Sequence, residues 1–592
     1  MNESPSHRPA HRRALLGLTL TATVILAAKV AVTLTLPGPW YLPDEVIYLV
    51  HARQLAAGGE VFYQGPVTGV QPLWPAILAP IMAVLDSGSL PAYHVAVILA
   101  SVLGTLLVFP VFLLSRRWLP VGDSFTVALL STLTPGICLY GWASLTEPLY
   151  TLVLVLGAAC FVRALCTERL RGFVVCGVLA AATFWVRPYG LTCVLAAGGG
   201  AVAWGVAKRR WQQPLGLVLA AGAVLAAGVL WKAAANPQAG YTLTNYTGEQ
   251  SVVTQLFGSL GKSGAWRDMV LVVVLDVAYV FVATYAVFLP LALAALAKGC
   301  RGFTRMDPVG KGIFVAAGLL FAATYGLTGF SKIGTPELTR MYGRYVEPLL
   351  PLVIVIGAVA WRRMAPDRTS RYTVTVIVLL LTVLLGAVVP RGETSFTNNA
   401  GLWYWYLIYA HATPLAALAA LAALWFGFAW LWRRPTVAGA LVVAAAVAST
   451  GLVTVHLWRY NAQTRPARGI AAQACAAVKE EIGPAPQVNL WVDPTLASRS
   501  RRAASNVHPF VCWLRYGLPG VNVDWARQNQ IANVGDLLLT WAAASHVPPV
   551  WRHGPLCIQR IAQRRAVWPV SPDTSPDGAA GVAPAPSDPG RP

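Results

Sequence analysis

Apolar runs of about twenty residues recur along most of the chain, and short polar segments rich in Arg and Lys separate them. These runs predict thirteen membrane spans, at 14–36, 91–114, 124–141, 148–165, 172–187, 190–207, 214–234, 269–297, 311–330, 346–361, 372–390, 406–431 and 436–457. With the N terminus inside, the cytoplasmic loops carry Arg116/Arg117, Arg169/Arg171, Lys208/Arg209/Arg210, Arg301/Arg305/Lys311, Arg362/Arg363/Arg368/Arg371 and Arg433/Arg434. Every dense basic cluster then falls on one side, as the retention of positive loops in the cytoplasm requires. Merging or splitting a pair of spans moves several clusters outside.

The same pattern divides the chain. Residues 1–13 read as a polar cytoplasmic tail and 14–457 as a transmembrane domain with a first external loop at 37–90. The run from Ala14 to Leu36 exceeds a signal-peptide core, so it reads as an uncleaved first span. Over 458–570 a helical repeat (Ile470 to Ile482), a strand-like run (Val488 to Val492) and an apolar stretch (Val534 to Ala544) predict a small extracytoplasmic α/β domain. Residues 571–592, rich in Pro, Ala, Gly, Ser and Asp, bury too little apolar surface to offset chain entropy and predict a disordered tail. The expected fold is an all-α polytopic membrane protein with a C-terminal α/β domain.

Composition supports this and removes one function class. Hydrophobic residues make up 56% of the chain and charged residues 12%, with a mean hydropathy of +0.57, whereas about a quarter of a soluble domain is charged. The net charge of +21 does not imply nucleic acid, because the basic residues sit in small groups between apolar runs instead of on one folded face. Six of nine cysteines lie in or beside spans, while Cys475, Cys512 and Cys557 fall in the exported domain. One disulfide among those three suits that compartment, its pairing open.

The segment from Trp40 to Gly59 has a helix signature, with Pro43 in the first turn and glycines past the end. Its apolar positions predict a helix lying in the membrane interface. Asp44, Tyr48 and His51 fall at i, i+4 and i+7 and share one face, with Glu45 adjacent. Acidic residues favour any helix N terminus, so an isolated Asp-Glu pair has a structural reading beside a catalytic one.

The pair has company. Gly69-Val-Gln-Pro-Leu-Trp-Pro-Ala-Ile-Leu-Ala-Pro80 follows, then Ser144-Leu-Thr-Glu-Pro148, Arg187-Pro188, and Gly343-Arg-Tyr-Val-Glu-Pro-Leu-Leu-Pro351. In this order, and on one side of the expected topology, the motifs resemble the GT-C superfamily of polyprenyl-phosphate-sugar-dependent transferases. The nearest resemblance is to the bacterial branch related to protein O-mannosyltransferases and aminoarabinose transferases, over residues 14–360. Where that family has aromatic-Pro-Pro, this chain has Val70-Gln71-Pro72.

The resemblance implies that Asp44 acts as catalytic base or metal ligand, with Glu45 and Glu147 assisting and Tyr48 and His51 lining the substrate. A sugar on a polyprenyl phosphate presents its anomeric carbon at the outer interface, where a base for the acceptor hydroxyl is needed. The leaving phosphate needs cationic donors. Arg187, Lys332, Arg340 and Arg344 lie at external span ends, against the topology signal, and bind either that phosphate or lipid headgroups. Arg340 and Arg344 are four apart, after a helix-start signal at Thr335-Pro336-Glu337.

Other residues are less specific. Trp403-Tyr404-Trp405-Tyr406 either stacks on a sugar or belongs to the aromatic belt. His51 and His94 either join the carboxylates around a cation or are polar interface residues. No dense metal-ligand spacing occurs, so no cofactor is certain and a divalent cation on Asp44 stays open. Lys29 and Asp276 are intramembrane charges near enough to outer span ends to snorkel. The expected function is transfer of a hexosyl or pentosyl group from a polyprenyl-phosphate donor to an envelope glycan, lipid or protein outside the bacterial plasma membrane, with membrane lipids as surroundings and no nucleic acid. A secondary transporter or lipid-linked-sugar flippase is the rival, and a non-catalytic envelope scaffold a third class.

Overall fold

The computed structural model describes residues 8–36, 43–57, 71–85, 88–235, 264–332, 343–364, 372–381, 435–482, short stretches between 488 and 566, and a few isolated positions. The chain forms two compact units, Met1–Arg465 and Pro466–Pro592.

In the first unit, α1 (Arg8–Thr35) is a long apolar helix, and α2 (Pro43–Ala56), α3 (Leu73–Val84), α4 (Leu90–Leu106) and α5 (Val108–Ser115) follow. The helices α6 (Val121–Thr132) and α7 (Pro135–Tyr140) lead to α8 (Glu147–Thr167), α9 (Leu170–Val186), α10 (Leu191–Lys208) and α11 (Gln212–Ala235). Then come α12 (Ala265–Ala283), α13 (Phe288–Gly302), α14 (Pro308–Lys332), α15 (Leu350–Met364), α16 (Tyr372–Leu381) and α17 (Pro435–Ile482). Pairs α8/α9, α9/α11, α10/α14 and α13/α15 build the bundle. Small residues allow the approach: Gly177 meets the backbone of α11 at Leu217, and Gly200 meets Gly312 of α14.

Six of the described helices are long and apolar enough to cross a membrane, seven when one bent pair counts as a single span. The expected span 124–141 is two helices, because Pro135 cannot continue α6 and starts α7 instead. The expected span 269–297 is broken between α12 and α13, which meet at 117°. Tyr285 and Ala286 adopt left-handed backbone there (φ 59° and 57°), with no Gly or Pro to announce it. Spans 406–431 and the second half of 372–390 lie outside the described residues.

The helix directions sort the charges. At the end of α8, Glu168 takes the left-handed conformation and binds Lys208 at 2.7 Å and Arg210 at 2.8 Å from the end of α10. At the end of α15, Arg362 lies 3.8 Å from Asp123. The opposite ends of the same helices hold Glu147, Arg187 and Arg344, since α8 starts at Glu147, α9 stops before Arg187, and Arg344 precedes α15. An α-helix rises about 1.5 Å per residue, so α8 separates the two groups by about 31 Å, about one hydrocarbon thickness.

The helix α2 is enclosed by protein: Val46, Ile47, Tyr48, Leu49 and Ala52 are all buried, because α3 and the turn before α8 pack around it. One interface expectation is corrected. Lys29 and Asp276 do not snorkel, being 2% and 0% exposed. Lys29 fits inside because Gly104 and Gly141 leave room; a Cβ on Gly141 would sit 3.1 Å from its Nζ.

The second unit contains the end of α17 and a five-stranded sheet of order β2-β1-β4-β6-β5, formed by β1 (Val488–Val492), β2 (Val521–Trp525), β4 (Leu537–Trp541), β5 (Pro549–His553) and β6 (Leu556–Arg560). The strand β1 pairs parallel with β2 and β4, whereas β6 is antiparallel to β4 and β5. Short strands β3 (Ile531–Ala532) and β7 (Arg565–Ala566) pair separately. Ala471, Ala474, Cys475 and Val478, at helical spacing, cover Leu490, Val492, Val523, Leu537, Leu539 and Ile558. The expected boundary at 457/458 falls inside α17, which continues unbroken through Ile482. Cys475 carries a free, buried thiol, while Cys512 and the side chain of Cys557 lie outside the described residues.

Candidate active site

Four charged side chains from four parts of the first unit converge. Asp44 comes from the first turn of α2, Glu147 from the first residue of α8, Arg187 from the cap of α9 and Arg344 from the 3-10 turn Gly343–Tyr345. Arg344 Nη1 donates to Asp44 Oδ2 at 2.7 Å, and its Nε donates to Glu147 Oε1. Arg187 Nη1 donates to the same Glu147 oxygen at 2.8 Å. The other oxygen, Oε2, accepts from Thr146 at 3.4 Å.

Burial is uneven. Glu147, Arg187 and Arg344 are all less than a tenth exposed, whereas the side chain of Asp44 is 43% exposed. Asp44 is thus the one of the four that a reactant reaches without repacking. Burial opposes charge on Arg344, and Glu147 with Asp44 outweighs it, holding the guanidinium above its ordinary pKa. For Arg187 burial is likewise outweighed by Glu147. Nη2 of Arg344 is buried with no hydrogen-bond partner among the described residues.

Rings line the arginines. The Arg187 guanidinium lies 5.5 Å from the centre of the Tyr345 ring, which itself packs on Tyr189 at 5.0 Å. Arg344 lies 6.0 Å from the Tyr140 ring. Tyr48 OH is 3.5 Å from Thr146 Oγ1. Burial first, then Asp44, push the Tyr48 phenol up to about 12, so at neutral pH it is a neutral hydrogen-bonding group.

Glu45 sits apart from the four. Fully buried, its Oε1 accepts from Ser144 N at 2.7 Å and from Tyr93 OH at 3.1 Å. It ties α2 to the turn that delivers Thr146 and Glu147, and Trp74 Nε1 donates to Ser144 O at 3.3 Å from α3. His51 is buried on α2, and His94 contacts the Leu36 carbonyl at 2.7 Å. The side chain of Lys332, Arg340 and Trp403-Tyr404-Trp405-Tyr406 lie outside the described residues.

Sequence reasoning gave no role to Glu347. Its Oε1 accepts from Tyr279 OH, and it is 1% exposed. Two glycines make this approach feasible: a Cβ on Gly136 would collide with the Glu347 carboxylate, and one on Gly343 with the Tyr279 ring. The only sequence signal was an acid inside the Gly343 to Pro351 motif.

Among the described residues no group of three or more His, Cys, Asp or Glu side chains could hold a metal ion. Asp44 and Glu147 face guanidinium groups, a donor set suited to anions and not to a cation. Within the bundle an apolar cavity runs between α5, α8, α9, α10, α14 and α15, lined by Leu154, Phe161, Ala180, Ala196, Phe321 and Leu352, with Thr183 and Cys193 among its few polar groups.

No protein-family model and no curated protein matches the chain by sequence. Solved structures match by fold. ArnT from Cupriavidus metallidurans in the apo state aligns with a TM-score of 0.52 at 16% identity, covering 92% of this chain and 98% of that one. The same protein bound to undecaprenyl phosphate aligns with a TM-score of 0.51 at 16% identity, covering 92% and 97%. The chain therefore has the GT-C fold of a membrane protein.

Proposed function

We propose that this protein transfers a glycosyl group from a polyprenyl-phosphate donor to an envelope glycan, lipid or protein at the external face of the bacterial plasma membrane. The observation that carries the reading is the Arg344 bridge between Asp44 and Glu147, with Arg187 beside it, at the helix ends opposite the basic clusters. Positive loops stay in the cytoplasm, which supports an internal N terminus and an external cluster. A transporter would gather its polar groups near the midplane, whereas these four stand at helix ends. The GT-C fold, and the undecaprenyl phosphate bound by ArnT, support a lipid phosphate as the anchor of the donor.

The chemistry follows from the charges. Arg344 and Arg187 hold the donor phosphate by charge-assisted bonds, and the apolar cavity between α8 and α15 takes the prenyl chain. Asp44 removes the proton of the acceptor hydroxyl, whose oxygen bonds the anomeric carbon. The bond from that carbon to the phosphate oxygen breaks, its electron pair goes to the phosphate, and the arginines stabilise the new charge. Glu147 keeps both arginines aimed. Glu45 positions the turn before α8, and Tyr48 hydrogen-bonds within the site. Purified protein in detergent, given radiolabelled polyprenyl-phosphate sugars and an envelope extract, will consume one of them. Failure to consume any hexosyl or pentosyl donor defeats the reading.

A further inference from the structure

The four charged groups cancel: two carboxylates, two guanidinium groups, with Arg344 shared between the acids. Glu147 is fully engaged, Oε1 by both arginines and Oε2 by Thr146. Asp44 is engaged by Arg344 alone among the contacts of the cluster, through Nη1. The neighbouring Nη2 is the buried donor with no partner among the described residues. Nη2 is buried and Nη1 is held by Asp44, the exposed member of the pair, so a phosphate gains the forked grip on two donors that suits its oxygens only as Asp44 gives way. The phosphate and Asp44 therefore compete for Nη1, and their like charges repel at hydrogen-bond range.

Resting on the function proposed above, we infer that Asp44 is latched on Arg344 in the free enzyme and is released as base only when the donor phosphate takes its place. Nε of Arg344 stays on Glu147 throughout, so the guanidinium turns little and Arg187 keeps its bond. The displaced carboxylate has a free path, because Asp44 is the half-exposed member of the cluster. Donor binding thus precedes acceptor activation, and a site without donor leaves no competent base to activate water or an acceptor. The ion pair that orders the site at rest is at the same time an internal competitor of the donor.

The inference makes the base work against donor affinity, opposite to what a donor-binding residue or a metal ligand would do. The test is binding of polyprenyl phosphate, the donor without its sugar, to full-length protein in detergent. Asp44→Asn, which keeps shape and removes charge, is expected to bind it about fivefold tighter than wild type, as removal of a partly exposed ion pair worth up to about 1 kcal/mol gives. Asp44→Ala serves where the Asn variant inserts poorly, with the same direction expected. Equal or weaker binding in the variants overturns the latch. In wild type, initial rates are expected to follow ordered addition, with polyprenyl phosphate competing against donor; random addition overturns the latch as well. The base assignment fails separately: if Asp44→Asn retains turnover the base is wrong, and if turnover collapses without tighter lipid binding only the latch is wrong.

Discussion

Arg344 Nη1 stands 2.7 Å from Asp44 Oδ2 across 300 positions of sequence, and the same guanidinium reaches Glu147 through Nε. One residue before α15 thereby orders an acid at the start of α2 and another at the start of α8.

Asp44→Asn is expected to lower the transfer rate, normalised to correctly inserted protein, by about 10²- to 10⁴-fold, or about 3–5 kcal/mol in the barrier. A variant within a few-fold of wild type would mean that Asp44 only caps its helix, a role worth about 1 kcal/mol of stability.

Arg187→Ala and Arg344→Ala are expected to differ. Each leaves buried Glu147 with one guanidinium instead of two, and breaking a buried pair costs about 3–5 kcal/mol; the surviving partner keeps the loss near the low end. Both remove a group that holds the phosphate, but Arg344 supplies the forked pair Nη1 and Nη2, so the donor KM of Arg344→Ala rises more than that of Arg187→Ala. Unfolding in detergent and donor KM read the two effects. An unchanged KM and turnover in Arg344→Ala would make the arginine a scaffold only.

Glu45→Gln is expected to lose about 1–3 kcal/mol of stability, because a buried charged acceptor of two hydrogen bonds becomes a neutral one. Its turnover falls less than that of Asp44→Asn, and Tyr93→Phe reproduces part of the stability loss. The opposite pattern, full loss of turnover with unchanged melting, would put Glu45 in the chemistry.

Gly136→Ala and Gly343→Ala are expected to cost about 1–3 kcal/mol, as overpacking against Glu347 and Tyr279 forces the backbone to move. Gly343 precedes Arg344, so donor KM rises too. Gly198→Ala in α10, where a Cβ meets nothing within 4 Å, is the control and should melt no lower than wild type.

Reporter fusions at Asp367 and Ser571 are expected in opposite compartments, the first cytoplasmic and the second external, as the basic loops require. The same compartment for both would remove the external assignment of the site.

The membrane character, the helix α2 with Pro43 at its start, and the motifs holding Asp44, Glu147, Arg187 and Arg344 were legible in the sequence. Each is a local property: hydropathy over about 20 residues predicts a span, and a proline in the first turn marks a helix start. The expected sidedness rests on the same kind of local signal, since basic loops act near the spans they flank. The break at Tyr285–Ala286 was not legible, because Tyr and Ala carry no preference for the left-handed backbone they adopt there.

Tertiary structure alone divided Asp44 from Glu45. Adjacent in sequence and both at the start of α2, they differ by the packing around them: Asp44 stays half open beside Arg344, while Glu45 turns inward to Ser144 and Tyr93. Successive residues on a helix point about 100° apart, so one reaches the cluster and the other the turn behind it. The composition of the chain determined that a cluster of four charges must be rare and paired. Which acid meets which arginine depended on contacts between residues 40 to 300 positions apart, where a buried charge is tolerated only beside its partner.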